Sequence, residues 1–72
     1  MRRFLEYSRH HQRRIGAVFL EDGKISRQNI TILEYDEDTF IYVSAKQRKP
    51  RRMPLEVLLT AGYARGDRGE TE

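Results

Sequence analysis

Cysteine and tryptophan are both missing from this 72-residue chain. Without cysteine, neither a disulfide framework nor a thiolate metal site can brace the fold, and nothing calls for an oxidising compartment. Long apolar runs are missing too: Ala17 to Leu20 is the longest that matters, far short of the roughly 20 residues a membrane span requires. The opening Met1-Arg2-Arg3 lacks the apolar region of a signal peptide, so the expectation is a cytoplasmic protein with no membrane partner.

The chemistry of a catalyst is equally scarce. There is no cysteine nucleophile, Ser8, Ser26 and Ser44 have no histidine placed in a recognisable motif, and no glycine-rich phosphate loop occurs, so no catalytic residues are expected. His10 and His11 are adjacent, which on a helix turns them about 100° apart, and only Glu6 stands at ligand spacing from them. The run Glu34 to Asp38 lacks the alternating oxygen ligands and terminal glutamate of a calcium loop. No metal and no cofactor are expected.

What is present fits one small domain over residues 1–64. A chain this short buries about 60% of the surface its unfolded form exposes, enough for one core and not for a deep cleft as well. After Ala64 the composition turns to Arg-Gly-Asp-Arg-Gly-Glu-Thr-Glu with no apolar anchor, which predicts a disordered tail over 65–72.

Phe4 to His11 contains no proline or glycine and sets Phe4, Leu5, Tyr7 and His11 partly on one side at helical spacing. Ile15 to Leu20 is rich in β-branched and aromatic residues and stops at Glu21-Asp22-Gly23, whose Asp-Gly pair supplies the positive φ angles of a tight hairpin. The second strand, Lys24 to Tyr35, places Ile30 and Ile32 on one side and Asn29, Thr31, Leu33 and Tyr35 on the other. Apolar groups on both sides of Ile30 to Leu33 predict a strand that bends and is covered twice. Asp36 to Thr39 reads as a polar turn, Phe40 to Ala45 as the third strand, and Lys46 to Pro50 as a loop. Arg51 to Met53 reads as a brief fourth strand, Pro54 to Val57 as a 3₁₀ turn, and Leu58 to Tyr63 as a fifth strand with a bulge at Gly62. The fold class is therefore mainly β: a five-stranded, strongly bent antiparallel barrel of the SH3/Sm-like type with a short N-terminal helix.

Charge is unevenly spread. The first fourteen residues hold five arginines against the single acid Glu6, and Lys46 to Arg52 holds five cations and no acid. Guanidinium groups pair with phosphate in a fork, and several in a row release counterions from a nucleic-acid backbone. The candidate anion-binding residues are Arg48, Lys49, Arg51 and Arg52, extended by Arg13 and Arg14, with Tyr42 and Tyr63 as platforms on which a base could stack. The competing reading is a hairpin tip kept charged to block edge-to-edge aggregation.

This layout resembles the Sm-like and SH3-like small barrels over roughly Phe4 to Tyr63. Within that class the chain is similar to the WYL domain of bacterial regulators. The name-giving tripeptide falls on Ile41, Tyr42 and Val43, and the downstream arginine, aromatic, aliphatic, acid, aliphatic pattern falls on Arg51, Met53, Leu55, Glu56 and Leu58. Ile41 stands in the tryptophan position, Met53 in the aromatic one, and Val57 where an arginine follows the acid. The helix and the strand-turn-strand Ile15 to Leu33 also resemble Hfq, the bacterial Sm-like RNA chaperone, whose tyrosine-lysine-histidine signature is replaced here by Met53, Pro54 and Leu55. The resemblance implies a small regulatory module of transcription that binds nucleic acid or a nucleotide. The alternative it implies is a self-assembling, homo-oligomeric interaction module of the Sm-like type.

Overall fold

The computed structural model describes residues 2–44 and 48–64. The expected disordered tail, Ala45 of the third strand and Lys46 of the basic loop lie outside the described residues. The elements are a helix α1 (Arg2–His11), strands β1 (Ile15–Glu21), β2 (Lys24–Tyr35), β3 (Thr39–Ser44) and β4 (Arg51–Pro54), a 3₁₀ turn (Leu55–Val57) and β5 (Leu58–Tyr63). The five strands form one antiparallel sheet in the order β4-β3-β2-β1-β5. β4 and β5 are its two edges, and no ladder joins them among the described residues.

Local chemistry sets the boundaries. α1 ends where Gln12 turns to a φ of 54°, which lets the Arg13 N–H donate to the Ser8 carbonyl at 3.3 Å and satisfy one of the last free carbonyls of the helix. Asp22 and Gly23 take φ of 52° and 76°, the pair of positive values a two-residue hairpin needs to match strand twist. At the β2–β3 turn the Asp36 carboxylate accepts the N–H groups of Asp38 and Thr39, both at 2.8 Å, an Asx-type turn.

β2 is the spine. Its Lys24 to Ile30 half pairs with β1, and its Ile30 to Tyr35 half pairs with β3. In a flat sheet Glu21, opposite Lys24, would lie eight residues along β2 from Arg51, which is level with Ile32; that is roughly 26 Å of strand. Instead the Arg51 guanidinium meets the Glu21 carboxylate at 3.0 Å, and the rings of Phe19 on β1 and Tyr42 on β3 approach to 5.7 Å. The sheet therefore bends hard at the middle of β2 and folds its two halves face to face.

The core lies between those halves: Leu5, Ile15, Ala17, Phe19, Ile30, Ile32, Phe40, Tyr42 and Leu58 are all buried. The 3₁₀ turn lies against both β1 and β3 and closes one side, while α1 covers the other. At the bend, β1 has left β2 and the Ile32 N–H has no strand to meet. The Ser8 hydroxyl takes that place. It accepts the Ile32 N–H at 2.9 Å and donates to the Arg13 carbonyl at 2.6 Å, and Ser8 is fully buried.

Two expectations about facing are corrected. The β2–β3 register shifts between Ile32 and Glu34, so that Tyr35 sits opposite the buried Phe40 and shares the face of Ile32 rather than that of Thr31. The bulge of β5 is not at Gly62, which pairs in register with Gly16; the irregularity lies between Val18 and Phe19, leaving Leu59 as the extra residue.

Replacing Ser8 by alanine leaves the Ile32 N–H and the Arg13 carbonyl without their partner and should lower the free energy of unfolding by about 1–3 kcal/mol, read from urea denaturation. Ser26→Ala, which removes only a bond from the Gln28 amide, should cost under about 0.5 kcal/mol. Equal losses would show that Ser8 does not hold the bend.

Candidate functional site

The strand register brings near each other the strand ends from which the two basic stretches depart. Ile15 pairs with Tyr63 on one side and with Ile30 on the other, and Ile30 pairs with Ser44. Two inter-strand spacings, about 10 Å, therefore separate the start of β1 from the end of β3. Arg13 and Arg14 lead into this row, Tyr63 ends on it, and Arg48 and Lys49 lie between Ser44 and β4 on the far side of β2. Arg13, Arg14, Arg48, Lys49 and Arg52 are all exposed.

Not every candidate keeps its expected part. Tyr42 is a core residue, 2% exposed and packed between Phe19 and Phe40; burial holds its hydroxyl above the ordinary phenol range, and no base can reach its ring. It faces inward because it stands opposite Ile32 across β3 and β2. Arg51 is directly opposite Tyr42 and therefore points to the same side, where Glu21 takes its guanidinium and raises its pKa further. Its visible work is to tie β4 to the tip of the β1–β2 hairpin. Arg52 points to the other face, and its charge helps lower the Asp36 pKa, chiefly depressed by the Asp38 and Thr39 N–H groups.

Tyr63 is 42% exposed and does not stand alone. Its ring lies edge-on to Phe4 at 5.0 Å and to Tyr7 at 5.1 Å, so the end of β5 and the outer side of α1 form one aromatic surface. Arg13 donates to the Tyr7 hydroxyl at 3.4 Å, and the Arg3 guanidinium sits 4.8 Å from the Phe4 ring centre. Helical spacing marks Phe4, Leu5, Tyr7 and His11 only as a stripe on one side of α1; the arginines at both ends of it are the signal in the sequence that the stripe faces outward as well as inward.

The one acid of α1 is already engaged. Glu6 binds Arg9 at 3.0 Å and accepts the Tyr35 hydroxyl at 2.9 Å, contacts that lower its pKa and raise those of Arg9 and Tyr35. Three other acids cluster elsewhere: a shallow groove of about 380 Å³ is lined by Glu37, Asp38, Thr39, Pro54, Leu55 and Glu56. It repels anions and marks the acidic pole. Among the described residues no three histidine, aspartate or glutamate side chains come together as a metal site, and no helix is long and apolar enough to cross a membrane. The chain matches no protein-family model, and neither characterised proteins nor solved structures give a significant match.

The lowered pKa of Glu6 sets the sign of a pH effect. The unfolded carboxyl, at its ordinary 4.5, binds protons at a pH where the folded one does not. The stabilisation is complete above that value and is lost as pH falls through the lower folded value. Glu6→Gln keeps a hydrogen-bonding side chain without the charge, so its unfolding midpoint should fall less between pH 5 and pH 3 than that of the unaltered protein. Parallel acid curves would exclude Glu6 as a source of acid lability.

Proposed function

We propose that the protein is a small non-enzymatic regulatory module that binds the phosphates of a nucleic acid through Arg13, Arg14, Arg48, Lys49 and Arg52. The observation that carries this reading is the pairing of Ile15 with Ile30 and of Ile30 with Ser44, which brings close together across β2 the strand ends from which two basic stretches, more than thirty residues apart in sequence, depart. Exposed guanidinium and ammonium groups at that spacing neutralise successive phosphates, with affinity that depends steeply on salt. The bent sheet is read as a small barrel of the SH3/Sm-like type, supported by the element order, the 3₁₀ turn before β5 and the contact of Glu21 with Arg51 across the fold. The WYL-like resemblance fits a regulatory role, and ligand binding of the WYL type does not carry over with it, since Met53 stands in the aromatic position and Val57 where an arginine follows the acid.

A second reading, a protein-interaction or self-assembly module, is favoured by a different observation. β4 offers an edge protected by Arg51, Arg52 and Pro54, whereas β5 has no charged residue, and Leu20, Ile25 and Leu59 are exposed on its side of the sheet. An uncharged edge beside apolar side chains is a surface that pairs with another chain.

The test is anisotropy of a labelled oligonucleotide at several salt concentrations, with the mass in solution measured alongside. The unaltered protein should bind at low salt, and Arg48→Gln with Lys49→Gln should flatten the slope of log K against log salt by roughly 1.4 for a single strand. Those two side chains are chosen over Arg51 because Arg51 is bound to Glu21. Absence of binding at low salt, with an assembly that survives high salt, would replace the first reading by the second.

A further inference from the structure

Five aromatic rings follow one another along the outside of α1. From His10 the chain of contacts passes to His11 at 4.6 Å, to Tyr7 at 5.2 Å, to Tyr63 at 5.1 Å and to Phe4 at 5.0 Å, and Arg3 caps the far end over the Phe4 ring. Helix docking accounts for only part of this. The fully buried anchors of α1 are Leu5 and Ser8, with Phe4 and Tyr7 packed partly against the core beside them, and a cluster needed only for docking would be sealed. Here Phe4 and Tyr7 are half-buried, while His10, His11 and Tyr63 are exposed. Arg2, Arg3, Arg13 and Arg14 flank the row and are exposed as well, and the only carboxylate on the helix, Glu6, is held by Arg9 and Tyr35. The flank is thus aromatic and mainly cationic, its one helix carboxylate engaged by Arg9 and Tyr35 and the nearby Glu34 facing Arg9.

We propose that this flank of α1, completed by Tyr63, is a stacking site for the bases of a single-stranded nucleic acid. The inference rests on the phosphate-binding reading above and adds the ligand's class to it. Rings interleaved with cations bind single strands because every unpaired base offers a face to an aromatic ring while the arginines track its phosphates. A duplex keeps its base faces stacked inside and has nothing to offer these rings. The arginines at 13 and 14 join the two regions: they follow α1 directly and precede β1, so a strand lying along the rings runs on toward the cations beside Ser44.

The test compares a labelled thymidine dodecamer with an abasic strand of equal length, which carries the same phosphates without bases, and with a duplex of that length. The unaltered protein should hold the thymidine strand roughly 5- to 150-fold more tightly than the abasic one, with the same salt slope for both. Tyr63→Leu should erase that preference and leave the slope unchanged, while Tyr63→Phe should retain it. Because the chain has four tyrosines and no tryptophan, quenching of tyrosine emission by the thymidine strand reports the contact directly and should shrink in Tyr63→Leu. Thermal unfolding of each variant shows whether α1 remains docked, and the comparison of strands on the unaltered protein needs no variant. Equal affinity for thymidine and abasic strands would overturn the stacking site while leaving phosphate binding intact. Failure to bind any of the three at low salt would overturn both.

Discussion

A single strand serving two half-sheets is the constraint on which the rest of this molecule depends. β2 is twelve residues long, and each half pairs with a different neighbour, so its middle must bend and must give up ladder hydrogen bonds where β1 departs. A buried N–H without a partner costs about 1–3 kcal/mol, a large share of what a domain of this size has in reserve. Ser8 removes that cost with one hydroxyl, bonded both to Ile32 and to the loop that follows its own helix. The placement of α1, the direction in which the chain enters β1 and the closure of the core over Leu5 all follow from that small polar contact.

The same bend organises charge. By bringing the tip of the first hairpin over β4, it uses Glu21 to neutralise Arg51, while Glu6 and Asp36 are taken up by the helix flank and by a turn. Glu37, Asp38 and Glu56 gather around the groove, leaving Asp22 at the hairpin tip and Glu34 on β2. Cations are left outward along α1 and beside the end of β3. A net charge of only +3 therefore becomes a polarised surface through geometry rather than through composition.

Element spans were largely legible. Lys24 to Tyr35 and Leu58 to Tyr63 could be bounded from the Asp-Gly turn, the acid run and the proline, because turn chemistry acts locally. Facing was harder. In Phe40 to Val43 every residue is apolar, so alternation carries no phase, and only the partner strand decides that Tyr42 rather than Ile41 enters the core. A constant period of two cannot foresee the shift after Ile32 or the extra residue at Leu59. Ser8 bore no signal at all, since its value comes from an N–H twenty-four residues away. The aromatic half of the candidate site was half visible: helical spacing joined Phe4, Tyr7 and His11, but Tyr63 reaches them only through its pairing with Ile15.

The edge position of β5 has a kinetic consequence. β1 meets β2 across a two-residue turn and β2 meets β3 across a short acidic one, so these pairings close small loops and form early. Phe19 and Leu58 are separated by thirty-nine residues, and their pairing must await the rest of the chain. The element that joins last is also an edge strand, paired with β1 alone in the sheet, and edge elements are the first to leave during partial opening. When it does, the strand it uncovers is Ile15-Gly16-Ala17-Val18-Phe19, an uncharged and strongly β-prone segment of the kind that seeds cross-β stacking. The lifetime of the β1–β5 ladder, more than the global stability, then governs how long a concentrated solution of this protein stays free of aggregates.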